Sequence, residues 1–296
     1  MSFFRTRLSR VGMTRRSANT LLLLCTMFWG MSYALNKITS ETLSPLEVMA
    51  IRYMLAGLIC VFLFRRRLRR VDRQTLRDGT ILALIAFVSI TSIFYGLQVT
   101  EATTAAFLMS TSIIFVPLIQ TVRLHRLPEP VILLCTALAT AGIALLSLRD
   151  GLHFSPGALL CLCGGFLYAV AIILTDTYSH RGDGILLGVI QQVIIGILSV
   201  ISMLALTDPV LPVRASDWAA LLCLTLFCSA FAFTAQPYAQ AYSTPENTAL
   251  IFSLEPVFGA VYAFFLLGER LAPQGLCGTA LVLLSVLIVS TYKTRK

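Results

Sequence analysis

The chain has 296 residues, 57% of them hydrophobic and only 12% charged, with a mean hydropathy of +0.84. Soluble domains carry about a quarter charged residues, so this composition all but excludes a water-soluble enzyme. The net charge of +9 raises nucleic acid or anionic lipid as partners, and its distribution decides between them.

A membrane span takes about 20 mainly apolar residues, and apolar runs bounded by charge, Gly and Pro predict ten such helices. Helix 1 (18–36) follows a basic N-terminus without a small-x-small cleavage site, so it is read as a retained span and not a signal peptide. It carries Trp29, Tyr33 and Asn36 at i, i+4 and i+7. Helix 2 (46–64) holds Arg52 about two turns inside and ends at the basic run Arg65–Arg70. Helix 3 (79–98) repeats the stripe with Thr91, Tyr95 and Gln98. Helix 4 (102–121) contains Pro117, which is expected to kink it, and helix 5 covers 131–148.

Helix 6 (157–176) offers Tyr168 and Thr175, helix 7 (185–206) Gln191 and Gln192, and helix 8 (217–240) Gln236 and Gln240. Helix 9 (246–267) has a capping Thr244 and Pro245 at its first position. One face of it shows Thr248, Phe252, Glu255, Gly259 and Tyr262, and Pro256 is expected to interrupt it beside Glu255. Helix 10 covers 274–292.

With the N-terminus in the cytoplasm, 18 Lys and Arg fall in cytoplasmic segments and 4 (Lys37, Arg149, Arg214, Arg270) on the other side. The positive-inside rule therefore places both termini in the cytoplasm. Arg65–Arg70 reads as the charged stop after helix 2, with weak attraction to anionic lipid, so no nucleic-acid partner is needed. The chain is short and lacks a transit segment, which points to a multi-pass protein of a bacterial cytoplasmic (inner) membrane.

The eight cysteines all lie in apolar spans, where thiols act as small hydrophobes, and the three histidines lie in loops without a ligand cluster. Cys161 and Cys163, two apart on a helix, point to opposite sides. Neither a metal nor a cofactor is expected. The chain lacks Gly-x-x-x-x-Gly-Lys-Ser/Thr, so self-contained ATP drive is out.

Helices 5 and 10 share Pro-x-x-Leu-x-x-Thr-Ala-Leu, at Pro130–Leu138 and Pro273–Leu281. Arg126-Leu127 matches Arg270-Leu271, and Thr104-Ala105 matches Thr248-Ala249. The chain thus divides near residue 150 into 1–150 and 151–296, each with five spans. An odd number of spans inverts the second half relative to the first. The expected fold class is an all-α membrane protein of ten transmembrane helices in two inverted five-helix repeats. Ala137/Ala141 and Gly275/Thr279 permit close helix approach, which makes helices 5 and 10 scaffold or the contact surface of a homodimer.

In hydrocarbon, polar groups face a cavity or a neighbouring helix. The stripes on helices 1, 3, 8 and 9, with Tyr168, read as a lining for an amphipathic solute; taken singly, each residue could equally be interhelical glue. Arg52 either snorkels outward or pairs with an acid or a substrate carboxylate. Glu255 is a candidate proton carrier, and Glu255-Pro256 a structural or gating element. Arg52, Glu255, Pro256 and Pro117 are the coupling and gating candidates.

These residues resemble the drug/metabolite transporter superfamily, in its ten-span EamA-like branch. The resemblance is carried by Phe28-Trp29-Gly30-Met31-Ser32-Tyr33 with Lys37 and Pro45, by Arg52, and most specifically by Ala241–Leu271 with its Leu-Glu-Pro-Val-Phe and Leu-Leu-Gly-Glu-Arg-Leu. It implies two inverted five-helix repeats, export or exchange of small metabolites, and a central cavity lined mainly by helices 1, 3, 4, 6, 8 and 9. The first half departs from the pattern. Helix 4 has Pro117 without a preceding Glu, so Glu255 has no symmetric partner.

The expected function is a secondary transporter for small polar or amphipathic metabolites, working outward by alternating access. A passive channel or a non-transporting scaffold is the alternative. A membrane-embedded enzyme would need nucleophile–base pairs or paired acids within the spans, and the Arg181-Gly182-Asp183-Gly184 loop has no partner acid.

Overall fold

In the computed structural model, which describes residues 13–99, 108–125, 127–147, 156–268 and 273–291, all regular structure is helical. The helices are α1 (Arg15–Thr39), α2 (Pro45–Leu68), α3 (Arg73–Gln98), α4 (Leu108–Leu124) and α5 (Pro130–Ser147). They continue as α6 (Pro156–Ser179), α7 (Gly184–Leu206), α8 (Ala215–Gln240), α9 (Pro245–Leu267) and α10 (Pro273–Thr291). α1–α3 and α6–α9 are each long and apolar enough to cross a membrane, and α4, α5 and α10 carry shorter apolar stretches. The division near residue 150 lies outside the described residues.

The helix starts follow from capping chemistry. Ser44 and Glu47 form a reciprocal capping box at α2, with Pro45 in its first turn. Asp183 accepts from the amides of Ile185 and Leu186, and Thr244 accepts from that of Asn247, as its position before Pro245 leads one to expect. α3 begins at Arg73, earlier than its apolar run, because Asp72 caps a polar first turn. The Thr75 hydroxyl and amide hold the Asp72 carboxyl below the usual carboxylate range.

The principal packing pairs show the twofold relation. α2 packs on α7 and α5 on α10. Exchanging α1 with α6, α2 with α7, α3 with α8 and α4 with α9 turns α3–α6 into α8–α1, α1–α9 into α6–α4, and α3–α7 into α8–α2. All of these contacts are present. The fold is therefore two five-helix halves of opposite orientation, wrapped around a shared interior. α5 and α10 lie against each other with Gly142 facing the Gly278 carbonyl. Gly275 is turned inward, while Ala137 and Ala141 are exposed.

Backbone approach is closest where glycine removes a side chain. A Cβ on Gly30 would meet Phe258 at 2.5 Å and the Glu255 carbonyl at 2.9 Å, so α1 can lie on the middle of α9 only with glycine there. The outward faces carry Leu58, Phe62, Leu63, Leu204, Phe265 and Leu287, all exposed. Surfaces of that extent belong against lipid.

Two helices are irregular at mid-span. α8 runs as π-helix over Leu224–Phe231. α9 is interrupted at Ser253–Leu254 and resumes at Glu255 with Pro256 in the first turn. Pro256 has no N–H for the Phe252 carbonyl and its ring clashes with that carbonyl, which accounts for the break. In α4 Pro117 lies inside the continuous helix Ser112–Leu124. α4 is interrupted at Thr111, whose hydroxyl bonds the Leu108 carbonyl.

Candidate functional site

A cavity of about 690 Å3 occupies the centre of the bundle. It reaches the exposed residues Lys37 and Ser40, at the end where α1 turns into α2. From Ser40 to Trp29 the lining descends eleven residues of α1, roughly 16 Å at the rise of an α-helix.

Aromatic rings cluster toward the inner end. The Trp29 ring lies edge-on to Phe252 at 5.1 Å, to Phe233 at 5.6 Å and to Tyr168 at 6.5 Å, and Tyr168 stacks on Phe252 at 6.1 Å. The cavity continues past these rings to Thr175 and Gln236; there the Gln236 amide donates to Gln240 Oε1 at 2.8 Å, and the Gln240 amide to the Ile172 carbonyl at 3.2 Å. The Asn247 amide donates to Asn19 Oδ1 at 2.9 Å and to Ser243 Oγ at 2.7 Å. The cavity is thus open at one end and sealed by packing and hydrogen bonds at the other.

The π segment of α8 positions the tryptophan and the arginine. The Cys228 carbonyl there accepts from Trp29 Nε1 at 3.0 Å and from Arg52 Nη2 at 3.2 Å. Arg52 Nε donates to Ser229 Oγ, and the guanidinium lies 5.0 Å from the Tyr53 ring centroid. Arg52 is buried and lines the cavity, so it does not snorkel outward. Among the described residues it forms no ion pair.

Glu255, also buried, enters the cavity as the first residue of the resumed α9, where helix-terminal amides favour a negative group. It interacts with Tyr33 and, electrostatically, with Arg52. The Tyr33 hydroxyl reaches Met109 Sδ at 3.3 Å, and its ring lies over Gly259. At the mouth, Arg214 bridges Glu41 at 2.6 Å and Asp217 at 2.7 Å, and the Val210 amide donates to Glu47 at 2.6 Å. These contacts tie the α1–α2 turn to the segment before α8.

Of the residues singled out in the sequence, Trp29, Tyr33, Asn36, Tyr168, Gln236, Glu255 and Arg52 line this one cavity. Gln240 lies behind Gln236, and Pro117 and Pro256 are buried away from the lining. Tyr95 is exposed, because α3 turns Ser89, Ile90, Ile93 and Phe94 to the cavity, a different stripe from the one through Thr91. Tyr262 is half-buried and off the lining. The face of α9 continues from Glu255 at i+4 steps to Ala263 and Leu267. The Gln98 side chain lies outside the described residues.

Thr175 and Gln191, named in the sequence as polar residues of α6 and α7, line the cavity as well, whereas the reading missed Val48 and Tyr53 on α2. It missed the π segment too, since Leu224–Phe231 contains neither Gly nor Pro.

The model of the EamA-like transporter family matches residues 16–148 and 155–291, once per half. An uncharacterized transporter of Archaeoglobus fulgidus is 28% identical over 290 residues, covering 98% of this chain and 91% of its own. One from Methanothermobacter thermautotrophicus is 24% identical over 287 residues, covering 88% and 82%. A solved crystal structure shares the fold with a TM-score of 0.80 at 15% identity, over 94% of this chain and 97% of its own. Two family matches on two halves related by the helix exchange above leave one assignment: this chain is a membrane protein that belongs to the EamA-like transporter family.

Proposed function

We propose that the chain is a secondary transporter that moves small polar or amphipathic metabolites across a cytoplasmic membrane by alternating access. The observation that carries this is the one-sided cavity, open beside Ser40 and closed beyond Gln236, where Gln240 bonds the Ile172 carbonyl. A pore would need a continuous path, and a scaffold would need no cavity with an arginine and a glutamate in its wall.

The two inverted halves supply the movement. If each half adopts the arrangement the other has now, the open end closes and the sealed end opens. The positive-inside count puts the termini in the cytoplasm and so makes the present open end the outer one. On this reading Trp29, Tyr33, Asn36, Tyr168, Gln236 and Glu255 contact the solute, with apolar rings for its body and polar groups for its orientation. Glu255 at the break in α9 couples solute occupancy to movement, and the family membership gives no ground for covalent chemistry.

Counterflow tests this. Proteoliposomes containing the purified protein are loaded with an unlabelled metabolite extract and exposed to the same extract labelled with carbon-13. A transporter takes up its labelled solute faster from loaded than from empty vesicles. Equal uptake by both would leave only a pore, and uptake matching protein-free vesicles would remove transport altogether.

A further inference from the structure

We propose that the cavity binds a small monocarboxylate, zwitterionic ones included, whose carboxylate docks on the outer edge of the Arg52 guanidinium. The inference deepens the transporter reading and rests on it for its meaning in the cell. A guanidinium has five N–H donors in a fixed plane. α8 uses one edge: Nε donates to Ser229 Oγ and Nη2 to the Cys228 carbonyl. The remaining N–H groups, on Nη1 and Nη2, have no partner among the described residues, although the side chain is only 4% exposed. Those two nitrogens form the fork that a carboxylate fits with two parallel hydrogen bonds.

The protein holds the fork steady from behind. Ser229 and Cys228 fix the plane, and Tyr53 lies 5.0 Å beneath it. The charges also select the ligand. Arg52 offers one positive charge, which a monoanion balances, and the second charge of a phosphate dianion would share the cavity with Glu255. The same cavity is lined by Ile90, Ile93, Phe94 and Phe233, which offer apolar wall for the ligand body.

The test is equilibrium binding to the purified wild-type protein in detergent, by calorimetry and thermal stabilisation. Four probes of one shape are compared: 3-phenylpropionate, phenylalanine, 3-phenylpropanamide and 2-phenylethylamine, with phenyl phosphate as a fifth. The two carboxylates are expected to bind, and the amide and amine to bind about tenfold to a hundredfold more weakly, the worth of a charge-assisted pair. Arg52→Gln should lower carboxylate affinity by a similar factor while leaving the elution profile unchanged, and Arg52→Lys should fall between.

Equal binding of amide and carboxylate, tighter binding of phenyl phosphate or the amine, or no carboxylate binding at all would each overturn the proposal. The wild-type comparison stands even if the variants fail to fold. Because binding is read without transport, carboxylate binding with no counterflow would sink the transporter reading alone. Counterflow of a neutral solute with no carboxylate binding would sink this one alone.

Discussion

An arginine inside a span costs about 3 kcal/mol or more to insert, and Arg52 offsets part of this through Ser229, the Cys228 carbonyl and the Tyr53 ring. None of these partners carries a negative charge, so Arg52 remains a cation facing the cavity. Glu255 is its counterpart on α9, in the same wall but not ion-paired with it, and Tyr33 stands beside the carboxylate. Replacing that carboxylate with an isosteric amide keeps the shape and removes the charge. Glu255→Gln is expected to slow counterflow by about tenfold or more, the worth of a hydrogen bond to a charged group, with unchanged expression and elution. Wild-type rates in that variant would show that Glu255 serves packing only. Both ionisable residues were legible in the sequence because charge inside an apolar run is conspicuous. Tyr53 was not, because a tyrosine in a span carries no such contrast. Tyr95 was misplaced because a stripe of period 3.6 fixes a face of α3 but not which face meets the cavity.

The interrupted α9 shows how one proline becomes a structural device. Pro256 leaves the Phe252 carbonyl without its helical donor, the helix stops at Ser253–Leu254, and Glu255 is delivered to the cavity at a fresh helix start. The break also separates α9 into a part carrying Phe252 of the aromatic cluster and a part carrying the wall. Movement between the two parts is the natural hinge of the proposed cycle. Pro256→Ala restores the donor, so it should change stability by no more than about 1 kcal/mol while slowing counterflow several-fold. A variant equally stable and equally fast would remove the hinge. This break was legible, since proline in a span announces itself, as was the cap at Thr244. The π segment of α8 was not. It arises from what surrounds it: the backbone carbonyls of Cys228, Ala230 and Ala232 accept from Trp29 and Arg52, from Cys60 and from Cys25.

Ten spans and an inverted repeat followed from counting apolar runs and noting that five is odd, and the packing pairs reproduce that relation. Sequence pattern also gave the positive-inside bias. It did not give which end of the bundle is open, because that depends on side chains meeting across helices, such as Asn19 with Asn247 and Gln240 with the Ile172 carbonyl. The account requires these contacts to be temporary. Thr248 lies one turn behind Phe252, fully buried with its hydroxyl unpartnered in the sealed end, and Ser32 lies in the open cavity beside Trp29. The most direct measurement introduces Ser32→Cys and Thr248→Cys together and follows a membrane-impermeant maleimide at each site by peptide mass spectrometry. Thr248→Cys should react slowly from the side bearing the termini. Once a bulky maleimide has wedged Ser32→Cys from the other side, that reaction should fall by roughly tenfold or more as the population shifts. An unchanged rate at Thr248→Cys after the wedge is in place, or no reaction there under any condition, would contradict alternating access.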